Sequence, residues 1–303
     1  MAGSNITLTP SNNAAQNRTD VTIAASGGGG GGGISSSSLI LTTPEGLTIS
    51  RPTSSPSTYY LDISPGRCLV PGATDRYLFS TSVVWSKDLD REWQQGNGAG
   101  GRLGSVPTQS NPWRTWHIFA MYHIPSGAVD FGFSRELDAS DRPFPSDWAV
   151  RRIGSWLTDD SGFWRRIIQS GDNFMHAVPT LSVSANIPDT ATLYTMDVPT
   201  GLNLISEVAI HPGAVNLYWY VSLVVTSPLV DDVASVVNFD SSNPTADTIS
   251  YYPDSPHIYH NWQSYKQVIT DTSGRIRARS SFGGAPWTVF PAIKTLGWID
   301  KRI

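Results

Sequence analysis

The groups in this chain that could do chemistry are few, and their spacing argues against most reactions. Glycoside hydrolysis needs two carboxyl groups a few ångströms apart, one of them with a raised pKa. Glutamates are confined to Glu45, Glu92, Glu136 and Glu207, and the densest acidic run is Asp88-Leu89-Asp90-Arg91-Glu92, flanked by Trp85 and Trp93. That run reads as a solvated loop ahead of the glycine-rich stretch from Gly96 to Gly101; sugar stacking on the two rings is the competing reading. His257 and His260 form the tightest histidine pair, but their i, i+3 spacing suits a metal only on a helix, and Pro253 and Pro256 oppose one. His117, His123, His176 and His211 stand apart. Asp231-Asp232 lacks the alternating Asp/Asn loop with a distal Glu that calcium sites use. Cys68 is the only cysteine, and Arg67-Cys68-Leu69 offers no histidine to activate a thiolate, so a buried structural thiol is expected. Neither Gly27 to Gly33 nor Gly96 to Gly101 carries the Lys-Ser/Thr of a phosphate loop. The expectation is a protein with no catalytic residues, no metal and no cofactor.

Composition narrows the class further. Net charge is −4 and pI about 5.8, which leaves no basic field to hold nucleic acid. Charged residues make up only 15% of the chain, below the usual share, so Ser, Thr and Asn carry the polar surface instead. Arginine far outnumbers lysine, which suits fixed, forked ion pairs and interfaces. Aromatics at 11%, with 27 Gly and 21 Pro, suit many short strands joined by many turns. No stretch has the length and apolarity of a membrane-spanning helix, and Met1 to Asn13 has no signal-peptide pattern. Synthesis in a cytoplasm, without membrane insertion, is expected.

The elements that must position any site are strands. Ser38 to Leu41, Leu47 to Ser50, Tyr59 to Ile63 and Thr81 to Trp85 are each bounded by turn signals. Thr115 to Tyr122 is the strongest central strand, and Val129 to Phe133 answers it across Pro125-Ser126-Gly127 as a hairpin partner. Ser146 to Arg152 reads as one helical or irregular stretch. Strands resume at Trp156-Leu157-Thr158 and, after an Asp159 to Gly162 turn, at Phe163 to Gln169. Further strands are read at Thr180 to Ser184, Ala191 to Asp197, Leu202 to Ile210, Val215 to Thr226, Arg275 to Ser280, Trp287 to Phe290 and Leu296 to Asp300. Turns about every ten residues predict an all-β fold: an antiparallel β-sandwich or jelly-roll-like body with an extended N-terminal arm.

Residues 1–38 differ in composition from the rest, being polar and then polyglycine. They read as a docking arm, with Ile6, Leu8, Val21, Ile23, Gly27, Gly30 and Gly33 as the positions to contact partners. Residues 39–303 form the body, either one domain or two subdomains dividing near 180–200. Turn chemistry accounts for Asp160-Ser161-Gly162 and Thr272-Ser273-Gly274, where Asp or Thr caps backbone and Gly takes positive φ. Gly154 would let a ring or a neighbouring chain approach closely. Arg151 and Arg152 are expected to pair with Asp130, Asp159 or Asp160.

Several stretches carry a family resemblance. His117-Ile118-Phe119-Ala120, Val129-Asp130-Phe131-Gly132-Phe133-Ser134, Arg151-Arg152-Ile153-Gly154-Ser155, Thr158-Asp159-Asp160-Ser161-Gly162 and Gln169-Ser170-Gly171-Asp172-Asn173-Phe174 follow in order. Together with Thr270-Asp271-Thr272-Ser273-Gly274 and Leu296-Gly297-Trp298-Ile299-Asp300 they resemble a module of bacteriophage tail-fibre and virion structural proteins. The resemblance covers about residues 80–180 and 265–303. It implies a β-sandwich, a structural role in the virion, and homo-oligomers, often three-fold. Expected partners are further copies, with a trimer favoured, and other virion proteins met through the arm. The expected location is the virion, after synthesis in the host bacterial cytoplasm. Alternatives are a capsid-decorating or head-spike protein, and a module binding or degrading host-surface glycan. For the binding case Trp85, Trp93, Trp113 and Trp116 are the candidate sugar platforms.

Overall fold

The structure, a computed structural model, describes residues 5–13, 18–26, 43–52, 59–72, 75–105, 115–144, 147–184, 187–211, 221–232, 248–251, 264–282 and 292–302. Among them there is no helix. The chain divides into two compact units, Met1–Thr42 and Thr43–Ile303.

In the first unit β1 (Asn5–Asn13) and β2 (Arg18–Ser26) pair antiparallel, from Asn5 opposite Ser26 to Asn13 opposite Arg18. Leu8 stands opposite Ile23, Ile6 opposite Ala25 and Val21 opposite Pro10. The arm residues singled out by sequence are thus strand residues of a hairpin rather than parts of a single extended arm. Their alternate spacing is the strand period, a signal diluted by the polar residues between them. Gly27, Gly30 and Gly33 lie outside the described residues.

The second unit begins with two short strands, β3 (Glu45–Gly46) and β4 (Ile49–Ser50), followed by β5 (Tyr60–Ile63), β6 (Gly66–Pro71), β7 (Arg76–Thr81) and β8 (Trp85–Glu92). Then come β9 (Gly100–Arg102), β10 (Thr115–His123), β11 (Val129–Ser134), β12 (Trp148–Leu157), β13 (Ile167–Ser170) and β14 (Asn173–Ser184). The remaining strands are β15 (Thr192–Thr195), β16 (Ile205–His211), β17 (Val221–Thr226), β18 (Thr248–Tyr251), β19 (Ser264–Ile269), β20 (Arg275–Phe282) and β21 (Ala292–Ile299). They form a seven-stranded sheet ordered β12-β10-β11-β9-β8-β5-β4 and a five-stranded sheet ordered β13-β14-β21-β16-β19. A four-stranded sheet, β15-β20-β17-β18, and a three-stranded sheet, β3-β6-β7, complete the unit. Pairing is antiparallel except at β9, which runs parallel to both β8 and β11. One core draws on all four sheets, from Leu47 and Cys68 through Ile118, Phe131, Ile153 and Phe174 to Leu223, Ile276 and Trp298.

The all-β class is as expected, and the β10–β11 hairpin forms with Ile118 opposite Phe133. The stretch read as helical or irregular is instead the first half of β12, paired with β10 from His123 opposite Trp148. Alanine and arginine favour helix, but Trp148, Val150, Ile153 and Trp156 fit a pleated, packed surface, and pairing overrides the weak propensity. Thr81 to Trp85 is not one strand. It joins β7 to β8 through a tight turn in which Thr81 Oγ1 accepts bonds from Val83 N (3.3 Å) and Trp85 Nε1 (2.9 Å). The acidic run Asp88 to Glu92 lies in β8, not in a loop.

The two T-D-x-S-G stretches build the same turn. Asp159 Oδ1 accepts from Ser161 N and Phe163 N, both at 2.9 Å, and Asp271 Oδ1 accepts from Ser273 N (3.0 Å) and Arg275 N (2.9 Å). Gly162 at φ 78° and Gly274 at φ 72° close each turn in the left-handed region.

Gly297 marks a close approach of β21 to its sheet neighbour β14, where it stands opposite Met175. A Cβ there would stand 2.1 Å from the Phe174 carbonyl oxygen and 2.8 Å from Met175 Cα. Gly297→Ala is expected to lower stability by about 1–3 kcal/mol, as overpacking against backbone does. A urea midpoint unchanged from the parent chain would contradict this close approach.

Candidate functional site

Three stretches far apart in sequence meet at one buried node. A bulge in β12 sets Arg152 opposite Phe119 and Gly154 opposite Ile118, so Ile153 is the extra residue. From there the Arg152 fork grips Asp300, just past β21, with NH1 to Oδ2 at 2.5 Å and NH2 to Oδ1 at 2.8 Å. Asp300 N donates to the Asp172 carbonyl (2.9 Å), and Arg302 Nε donates to Asp172 Oδ1 (2.8 Å). Phe174 and Trp298 stack above this with centroids 5.5 Å apart and planes within 2°. Gly154 lets the Phe174 ring approach, since a Cβ there would sit 3.2 Å from Phe174 Cζ. The R-R-I-G-S, Q-x-G-D-x-F and L-G-W-I-D stretches therefore form one joint between the seven- and five-stranded sheets. Arg152 pairs with none of Asp130, Asp159 and Asp160, because its partner lies 148 positions downstream. Arg151 donates to the Leu69 carbonyl at 2.8 Å, reaching β6.

The joint also holds an arrangement that looks catalytic. His117 Nδ1 lies 2.9 Å from Ser155 Oγ, the spacing of a base and its nucleophile. Ser155 is fully buried, however, and Arg152 NH1 donates to the same Oγ at 3.1 Å. The carboxylate of Asp300 is taken by Arg152 rather than orienting His117. Burial, reinforced by the Arg152 charge and opposed by Asp300, pushes the imidazole down to about 4. The geometry makes His117 a neutral hydrogen-bonding core residue.

Two further polar nodes lie inside the unit. Arg165 pairs with Asp197 and donates to Thr180 Oγ1 at 2.9 Å, while His176 Nε2 sits 2.8 Å from the Asp197 carbonyl. Burial lowers the His176 pKa as well, against the pull of Asp197. Lys87 and Asp130, both fully buried, meet at 3.0 Å beneath the Gln94 to Gly98 turn. That turn is fastened by Lys87 Nζ bonds to the Gln94 (2.8 Å) and Gly96 (3.1 Å) carbonyls.

Among the described residues Trp85, Trp93 and Trp116 do not assemble into a platform. Trp116 is 2% exposed and belongs to the core, so it offers no face to a sugar. Trp85 and Trp93 are half-buried; Trp93 packs on Phe144 and Trp148 and donates to the Phe131 carbonyl at 3.2 Å. Trp113 lies outside the described residues, as do His257 and His260. Cys68 is buried, and its thiol is pushed up to about 12, as a structural thiol requires. Asp232 pairs with Arg279 at 2.8 Å. Among the described residues no three His, Cys, Asp or Glu side chains gather as they would around a metal. A groove of about 350 Å³ runs between β4 and β13, and one of about 260 Å³ adjoins Arg152 and Asp300; neither is lined by tryptophan.

Sequence reasoning missed the outer face of the five-stranded sheet. Register places Leu181, Lys294, Ala209 and Tyr265 in one row across it, and Ile299, Ile205 and Ile269 in another. Ile168 stands beside Met175 at the far edge. Tyr265 is 67% exposed, Ile168 62%, Leu181 51% and Ile269 46%. The alternation that would reveal this face is blurred because strands β14 and β21 both carry register shifts.

The two buried histidines set a pH dependence. Unfolded, His117 regains an ordinary pKa near 6.5; folded, it titrates at about 4. Stability is therefore full above pH 6.5 and falls as pH drops toward 4, by an amount on the order of 3 kcal/mol from His117. His117→Asn should flatten that part of the slope in urea titrations run across the window. An unchanged slope would contradict the assignment.

Comparison with family models, with curated proteins and with solved structures returned no match to this chain.

Proposed function

We propose that this chain is a structural subunit of a bacteriophage virion, of the tail-fibre or tail-associated kind. In this reading it works as a homo-oligomer, a trimer being favoured, and it holds copies together rather than turning over a substrate. The observation that carries this reading is the outer face of the five-stranded sheet. Isolated apolar side chains are ordinary on a surface, but Leu181 and Tyr265 in one row and Ile205, Ile269 and Ile299 in another, with the Glu207–Gln267 row between them, share one sheet face and mark it as a contact face. Lys294 and Glu207 lie on the same face and offer opposite charges to a second copy. The phage assignment is supported by the resemblance of the motif set, three of whose members act together as one structural joint. In the same reading the hairpin unit makes contact with other virion proteins.

Two measurements test it. Light scattering on the full chain should return an oligomer, and the double variant Tyr265→Lys with Ile269→Lys should fall to monomer with an unchanged circular dichroism spectrum. Antibody raised against the chain should label phage particles in electron micrographs. A monomeric parent chain would remove the assembly reading, and unlabelled particles would remove the virion reading.

A further inference from the structure

Lys87 and Asp130 are set up for more than an ion pair. Lys87 lies on β8 and Asp130 on β11, the two strands that flank β9, and both side chains are fully shielded from solvent. Lys87 Nζ has three hydrogens and three acceptors: the Gln94 carbonyl at 2.8 Å, the Gly96 carbonyl at 3.1 Å and Asp130 Oδ1 at 3.0 Å. Asp130 in turn accepts Gly96 N at Oδ2 (2.9 Å) and Phe131 N at Oδ1 (2.6 Å). The Trp93 ring covers Nζ at 5.9 Å, and Phe131 and Phe133 follow on the Asp130 strand.

We propose that Lys87 and Asp130 condense into an intramolecular amide, Lys87 Nζ bonding to Asp130 Cγ with release of one water. Transfer of one Nζ proton to Oδ1 turns the ion pair into an amine facing a carboxylic acid. Burial favours that neutral form at both groups, lowering the Lys87 pKa and raising that of Asp130, while their mutual attraction opposes it. Two hydrogens of the amine remain held by the Gln94 and Gly96 carbonyls. The freed lone pair then lies along the vacated N–H direction, toward the carboxyl group. As Nζ attacks Cγ, negative charge develops on Oδ2, where the Gly96 N–H already points. A second Nζ proton passes to Oδ1, the Cγ–Oδ1 bond breaks and water departs. The amide keeps one Nζ hydrogen, and no oxidant or other reagent is consumed. The fixed approach of the two groups replaces a bimolecular encounter, and this lets a slow condensation proceed in a folded chain. The product ties β8 to β11 across β9 by a covalent bond.

Intact-mass spectrometry of the purified full chain under denaturing conditions tests this. The folded parent, held at neutral pH, should be lighter than its sequence by one water. A tryptic digest should contain a branched peptide joining the Lys87 and Asp130 segments. Lys87→Arg and Asp130→Ala should both show the full sequence mass. Asp130→Asn should lose ammonia instead of water relative to its own sequence, because the side-chain nitrogen becomes the leaving group. A parent chain of full mass after prolonged incubation, or a water loss that maps to any other position, would overturn the proposal.

Discussion

A buried guanidinium needs a carboxylate at its own depth, and the packing of this body turns on how Arg152 meets that requirement. Taking both charges out of water costs several kcal/mol per ion, and only a forked, well-aligned contact offsets that loss. Arg152 obtains it from Asp300, with both hydrogen bonds in place and the carboxylate almost wholly buried. The consequence is architectural. Arg152 belongs to an edge strand of the seven-stranded sheet, and Asp300 follows the middle strand of the five-stranded one. The pair holds when the sheets are in register, so it selects one packing among the many that a greasy interface would accept. The β12 bulge, the Phe174–Trp298 stack and the Asp172–Arg302 contact gather around it and inherit its position.

The same rule explains where a chain poor in charge puts the charges it has. Arg165 with Asp197, and Lys87 with Asp130, repeat the pattern of a cation and an aspartate closing a seam between elements distant in sequence. Arginine's rigid fork suits such seams better than lysine, which gives the Arg bias an intramolecular cause. Where lysine is used inside, at Lys87, it is met by two backbone carbonyls as well as the carboxylate. The surface keeps a few exposed pairs such as Arg67–Glu45, and the outer face of the five-stranded sheet carries apolar side chains beside Lys294 and Glu207.

How much of this could be read from sequence follows from the range of each signal. Local signals were legible: the turns closed by Gly162 and Gly274, the strand from Thr115 and its hairpin partner, and the buried Cys68. The caps of those turns are Asp159 and Asp271, one residue before the Asp160 and Thr272 that the sequence suggested. Gly154 was rightly read as a place where a ring comes close. Signals that depend on distant partners were not. Nothing in Arg151-Arg152 points to Asp300, and nothing in the glycines after Gln95 shows that Gly100 and Gly101 slip in as a parallel strand between β8 and β11. The Trp116 ring has the same local context whether it faces water or core, so composition alone offered it as a sugar platform. The stretch from Trp148 to Arg152 has helix-tolerant residues and became a strand through pairing with β10. The outer apolar face was hidden because bulges break the alternation by which sheet faces are read.

The central claim is that the Arg152–Asp300 pair acts as a unit locking two sheets together. A double-mutant cycle with Arg152→Met, Asp300→Leu and the two combined, followed by urea unfolding, tests it most directly. Each single variant leaves a buried charge alone and should lose about 3–5 kcal/mol. The double variant removes both charges and should recover much of that loss. If the losses of the two single variants simply add in the double variant, the pair is not a coupled lock and the account fails.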